Sequence, residues 1–204
     1  MQLPLFPLNA VLFPDGLLNL RVFEARYIDM VADCLRLERG FGVCLASSGS
    51  AGSTAFDTIG CEARILTCDA PQPSLLTVRV LGHNRFRIQS THTQENGLLI
   101  GDVEPIAADE DSPITPEHQP CAKLLARILL DLENQTVQKR KTDPAAELPV
   151  RQPYQLNSSV WVSNRLCEVL QVPLKAKQKL MELEDAQARL GILTQYLRQH
   201  GVLS

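Results

Sequence analysis

Six cysteines, Cys34, Cys44, Cys61, Cys68, Cys121 and Cys167, are the reactive groups that stand out first. None forms a C-x-x-C pair or falls at the short spacings that hold zinc. They read as reduced thiols, serving as small buried hydrophobes in a reducing compartment. His83 and His92 lie nine residues apart in a strand-like stretch. That odd separation puts them on opposite faces and offers no shared ligand site. The patterns H-E-x-x-H, G-x-S-x-G and G-x-G-x-x-G are absent, which removes the local signatures of zinc hydrolysis, an elbow-mounted nucleophile and dinucleotide binding. Gly49 and Gly52 sit in a small polar stretch, Ser48 to Thr54, but a phosphate-cradling loop needs its lysine and the first lysine of the chain is Lys123. The stretch reads as a mobile loop. No catalytic residue, no metal site and no cofactor is expected. The route left open to an enzyme is a thiol and a histidine brought together by folding.

The elements that would position any site follow from hydrophobic spacing. Residues 3 to 8 and 10 to 14 are short apolar runs broken by prolines, which suits strand edges and ends. Asp15-Gly16 supplies a turn into an extended segment from Leu17 to Val22. From Phe23 the period changes: Phe23, Tyr27, Met30, Val31, Cys34 and Leu35 recur at three- and four-residue steps, which predicts an amphipathic helix ending near Gly40. Phe23, Glu24, Arg26 and Tyr27 open it, with Glu24 favourable near the positive helix terminus, so their first role is structural. Residues 41 to 47, then 58 to 68, then 76 to 80 and 85 to 89 around a Gly82-His83-Asn84 hairpin, and 98 to 103 after an Asn96-Gly97 turn, read as strands. Arg85 and Arg87 share a strand face and are expected to pair internally.

Residues 106 to 120 carry Asp109, Glu110, Asp111 and several prolines and read as a linker. Thr115 could cap a helix with Pro116 at its first position, and a stripe from Cys121 to Leu132 predicts a long helix. Asn157 or Ser158 could cap a further helix carrying Trp161 as an internal anchor. Two more helices are expected, over about 174–184 and 185–200, ended by Gly201. The domains expected are a strand-rich region over 1–107 and helices over 113–204.

Composition bounds function. The 204 residues are 45% hydrophobic and 21% charged, near the average for globular chains, so a buried core is expected. A net charge of −3 and ten aromatic residues argue against nucleic-acid or anionic-membrane binding, which needs a basic face. Through Pro105 there are eight arginines, no lysines and eleven acids; beyond it, twelve bases face twelve acids. No apolar run reaches the roughly 18 residues of a membrane span, and the N-terminus has no basic leader, so a cytoplasmic location is expected.

Four stretches carry a family resemblance. L-P-L-F-P-L-N-A-V-L-F-P-D-G-L-L-N-L-R-V-F-E-A-R-Y (3–27), I-G-C-E-A-R-I (59–65), V-L-G-H-N-R-F-R-I (80–88) and L-x-V-P-L-x-x-K-Q-x-L-M-E-L-E-D-A-Q-A-R-L (170–190) together resemble the N-terminal, substrate-binding domain of Lon protease, in a stand-alone form. The resemblance implies an α+β fold: a PUA-like β pseudo-barrel with one inserted helix, then a C-terminal helical bundle. It also implies recognition of an unfolded or partner polypeptide. ATP hydrolysis and proteolysis do not carry over, because the lysine-bearing phosphate loop is missing and one domain already uses all 204 residues. Within such a fold, the proline-rich run from Pro4 to Pro14 and the helix entered at Phe23 would border a shallow groove for an extended apolar peptide. Leu12, Phe13 and Phe41 are the residues expected to bind it.

Overall fold

Residues 1–47, 55–72 and 74–203 are described by the computed structural model; the loop expected at 48–54 lies outside them. Among the described residues every named strand ends by residue 105 and four of the five α-helices follow it, an α+β arrangement. None of these helices is long and apolar enough to cross a membrane. Packing divides the chain into one unit of residues 1–108 with 173–178 and another of residues 109–172 with 179–204.

The first unit is built on a sheet that closes on itself. Strand β1 (Gln2–Leu8) pairs antiparallel with β7 (Leu99–Pro105) and parallel with β3 (Phe41–Ser47). β5 (Ile59–Gln72) and β6 (Leu75–Thr93) complete the path β1-β7-β6-β5-β3 and back to β1. The parallel pair needs a crossover, which is made by β2 (Leu17–Val22), lying on β6, and by helix α1 (Ala25–Arg36). A short β4 (Ala55–Phe56) pairs with β3. Helix α1 buries Tyr27, Met30, Val31 and Cys34 against Phe6, Phe41, Val78 and Val80. The expected stripe holds except at its ends: Phe23 precedes the helix, and both it and Leu35 face solvent. Arg85 is buried and donates to Ala107 O at 3.3 Å while Arg87 is exposed, so the two do not share one environment.

Two sequence expectations change here. Residues 10 to 14 form a loop and not a strand, with Leu12 and Phe13 plugged into the interior and a turn at Asp15, whose φ is 59°. The hairpin expected at Gly82-His83-Asn84 is absent, and β6 runs unbroken through it for 19 residues. A tight hairpin turn requires positive φ, and none of those three residues has it; the chain reverses at Ser74, with φ 61°. Gly82 serves a close approach instead, because a Cβ there would overlap the Phe13 carbonyl. The Asn96-Gly97 turn forms with positive φ at Gly97 only, 83°. The short segment Pro173–Gln178 completes this unit: Gln178 Nε2 donates to Ile59 O at 2.9 Å and Lys175 pairs with Asp57 at 2.9 Å.

In the second unit a 3-10 turn (Pro116–His118) leads into α2 (Gln119–Lys139), so Thr115 and Pro116 begin the turn and not the long helix. Helix α3 (Ser159–Val169) packs on α2 and on α5 (Ala186–Gln199); α4 (Leu174–Glu182), which belongs to this unit from Lys179 on, ends just before Asp185, the N-cap of α5. Ser158 caps α3, its Oγ accepting from Trp161 N at 3.0 Å. Asp111 reinforces that end, accepting from Val160 N at 3.2 Å and from Ser158 Oγ at 2.9 Å. Burial pushes its carboxyl up, but these bonds with those from Ser112 and Ser159 outweigh it and hold the group below its ordinary value. Trp161 is buried as expected of an anchor. Arg189, 1% exposed at its side chain, pairs with the 4% exposed Asp109 at 2.7 Å. It also donates to Leu180 O at 2.8 Å, to Ser163 Oγ at 3.1 Å and to Leu183 O.

Candidate functional site

Strand β1 meets β7 only as far as Leu5, opposite Leu99, so Phe6 to Leu8 keep β3 alone as a paired neighbour. Beside this half-paired end, β2 stops at Val22 and α1 begins at Ala25, leaving Phe23 and Glu24 strung between them. A groove of about 320 Å³ opens there. Its floor is apolar: the Phe6 and Tyr27 rings stack with centroids 4.0 Å apart, and both residues are buried. Burial also raises the Tyr27 phenol above its ordinary value, so it stays neutral at any physiological pH. On the rim Phe23 is 69% exposed, an unusual position for a large aromatic that has a helix and a strand on either side of it.

The rim is organised by Arg26. Its Nη2 and Nε donate to Glu24 Oε2 at 2.7 and 3.0 Å, and its Nη1 donates to Gly97 O at 2.9 Å. The guanidinium also lies 4.7 Å above the Tyr27 ring. Arg26 therefore ties the β6–β7 turn to the helix start, and Glu24 spends its carboxylate on Arg26, making no side-chain cap on α1. Of the residues expected to open the helix, Glu24, Arg26 and Tyr27 are engaged in these contacts, while Phe23 contributes surface. Arg21 also lines the groove. Sequence reasoning passed it over, although the alternation Leu20-Arg21-Val22-Phe23 already places Arg21 and Phe23 on one side and the two aliphatics on the other. Among the described residues the lining offers aromatic, prolyl and guanidinium groups, a set suited to binding.

Leu12, Phe13 and Phe41, the residues expected to contact a peptide, are placed elsewhere. They are 3%, 0% and 0% exposed, which leaves them no area for a ligand. Phe41 stands at the start of β3 with its ring 6.1 Å from that of Phe6, so it supports the groove floor from beneath. Their apolar character signalled burial; the spacing alone could not say that the buried side was a core.

Among the described residues, Cys121 and His118 associate only through Thr194, whose Oγ1 lies 3.2 Å from Cys121 Sγ and 3.1 Å from His118 Nδ1. All three are buried, and burial pushes the Cys121 thiol up, the reverse of what activates a nucleophile. Cys44 is pushed up to about 12, again mainly by burial. Five cysteines are buried and Cys68 is partly exposed.

Comparison with known proteins agrees with this architecture. The N-terminal domain protein of Lon type from Xanthomonas campestris superimposes with a TM-score of 0.73 at 35% identity, covering 95% of this chain and 96% of that one. The N-terminal domain of Mycobacterium avium complex Lon protease shares the fold, with a TM-score of 0.60 at 14% identity over 98% of this chain. Lon proteases of Anaeromyxobacter dehalogenans and Cytophaga hutchinsonii are 25% and 27% identical over 97% and 96% of the chain. The chain spans about a quarter of the length of these relatives, 23% and 24%. The family described as the ATP-dependent protease La (LON) substrate-binding domain matches residues 2–199, and the chain belongs to that family.

Proposed function

We propose that this chain is a non-catalytic polypeptide-binding module that holds an extended apolar segment of a protein substrate in the groove between β1, β2 and α1. In this reading the closed sheet is a PUA-like pseudo-barrel whose half-paired edge offers the groove, and the later helices form a bundle beside it in sequence. The observation that carries the reading is Phe23, a large aromatic exposed beside an apolar floor built from Phe6 and Tyr27. Exposed apolar surface rimmed by polar groups marks interaction sites, and a half-paired strand end suits extended chains. The family description, with its substrate-binding role, supports the same assignment.

Fluorescence anisotropy with a labelled ten-residue Gly/Ser peptide carrying a central Phe-Leu pair tests it. Burying an aromatic is worth about 1.5–3 kcal/mol, so Phe23→Ser weakens binding by about tenfold or more with an unchanged unfolding midpoint. Phe41→Ala, acting from the core, lowers both together. Equal affinity in Phe23→Ser, or equal binding of a Ser-Ser control peptide, removes this groove from the function.

A further inference from the structure

We propose, resting on the polypeptide-binding reading, that the groove selects apolar segments carrying a carboxylate two residues from the residue that meets Phe23, and that Arg21 reads it. Arg21 lies one residue before the end of β2 and Phe23 is the first residue beyond it: Leu20 and Val22 are buried, while Arg21 and Phe23 are exposed and line the same groove. Same-side positions on an extended chain lie about 7 Å apart. A peptide strand lying alongside presents its own same-side residues at that spacing, so a side chain packed on Phe23 places the one two positions away opposite Arg21.

The charge of the groove singles out a carboxylate for that position. Glu24 neutralises Arg26 at 2.7 Å, and Arg26 is further committed to Gly97 O. Among the described residues no group pairs with or accepts a hydrogen bond from the Arg21 side chain, which leaves the groove one uncommitted positive charge. Helix α1 adds to it, because its N-terminus opens at the same groove with no side-chain cap, and the positive end of a helix favours anions. Screening limits the reach of an exposed charge to about 8 Å at physiological ionic strength. The selection is therefore local, acting on the residue opposite Arg21 and not on the overall charge of the substrate.

The test uses the whole chain and four labelled peptides that share one central Phe. They carry Asp, Asn or Lys two positions from it, or Asp one position from it. An exposed ion pair is worth a few-fold in affinity. The first peptide binds about two- to five-fold tighter than the Asn peptide, the Lys peptide binds weakest, and the one-position Asp peptide matches the Asn peptide. Arg21→Gln abolishes the Asp advantage without weakening the Asn peptide, Arg21→Glu reverses it in favour of Lys, and Arg21→Lys retains most of it. Salt at 1 M erases the advantage. Equal binding of Asp and Asn peptides with Phe23 dependence intact overturns the Arg21 proposal and leaves the groove reading standing, as does an Arg21→Gln variant that weakens both alike. Binding indifferent to Phe23→Ser, or no binding of any peptide, overturns both.

Discussion

The two units bury different chemistry. In the first, the interior is two apolar clusters, one around Phe6, Phe41, Val78 and Val80 and one around Leu5, Phe86 and Val103, and among its described residues Arg85 and Gln178 are the buried polar side chains. In the second, His118, Thr136, Ser159, Ser163, Asn164, Arg165, Arg189 and Thr194 are all buried. The difference follows from how each satisfies its backbone. A sheet that closes on itself pairs its own amides and carbonyls, so its interior can be apolar. Short helices leave carbonyls unpaired at their C-termini. Arg189 collects two of these, Leu180 O in the last turn of α4 and Leu183 O just beyond it, while Asp109 balances its charge.

That contrast can be broken by matched truncations. Asp109→Ala strands a buried guanidinium and is expected to cost about 3–5 kcal/mol. Phe41→Ala opens a cavity and is expected to cost a similar amount, about 3–5 kcal/mol. Urea unfolding measures both. The repairs differ: Phe41→Leu recovers most of the loss, whereas Asp109→Leu combined with Arg189→Met does not, because Leu180 O, Leu183 O and Ser163 Oγ lose their donor. A fully stable double variant would show that the polar network is dispensable and the contrast superficial. Next in size is Ser158→Ala, which removes the bond to Trp161 N and is expected to cost about 1 kcal/mol.

The smallest effect is in acid. The Asp111 carboxyl is held below its ordinary value, so its contribution is present above that value, near pH 4, and is lost as the pH falls through the lowered one. Asp111→Asn is therefore less stable than the parent at pH 6, with the gap closing toward pH 2. A gap independent of pH would mean that the carboxylate charge does not matter at this cap.

Much of this was legible in order and less of it in place. The switch from period two to period 3.6, the Ser158 cap and the Gly201 stop all show in local spacing, because each is decided within a turn or two of chain. The acidic, proline-rich stretch after Pro105 reads as a linker by composition, yet Asp109 is buried against Arg189, eighty residues away, and Asp111 holds the start of α3. Leu12 and Phe13 read as strand or surface, whereas both are buried in a loop that passes close against Gly82, a partner distant in sequence. At the groove, the motif F-E-x-R-Y was visible, but that Glu24 and Arg26 would occupy one another depends on side-chain geometry that spacing does not encode.

The parallel partnership of β1 with β3, and its antiparallel one with β7, also set a timetable. Gln2 pairs with Asp102, a hundred residues later in the chain. At a synthesis rate of about 5–20 residues per second, roughly 5–20 seconds separate the emergence of the first strand from that of its last neighbour. Throughout that interval an apolar strand is available to the wrong partner. Pro4 and Pro7 deny it two of its amide donors and so blunt it as a template for stray pairing, which gives the prolines of the opening run a purpose during birth that the finished ring no longer displays.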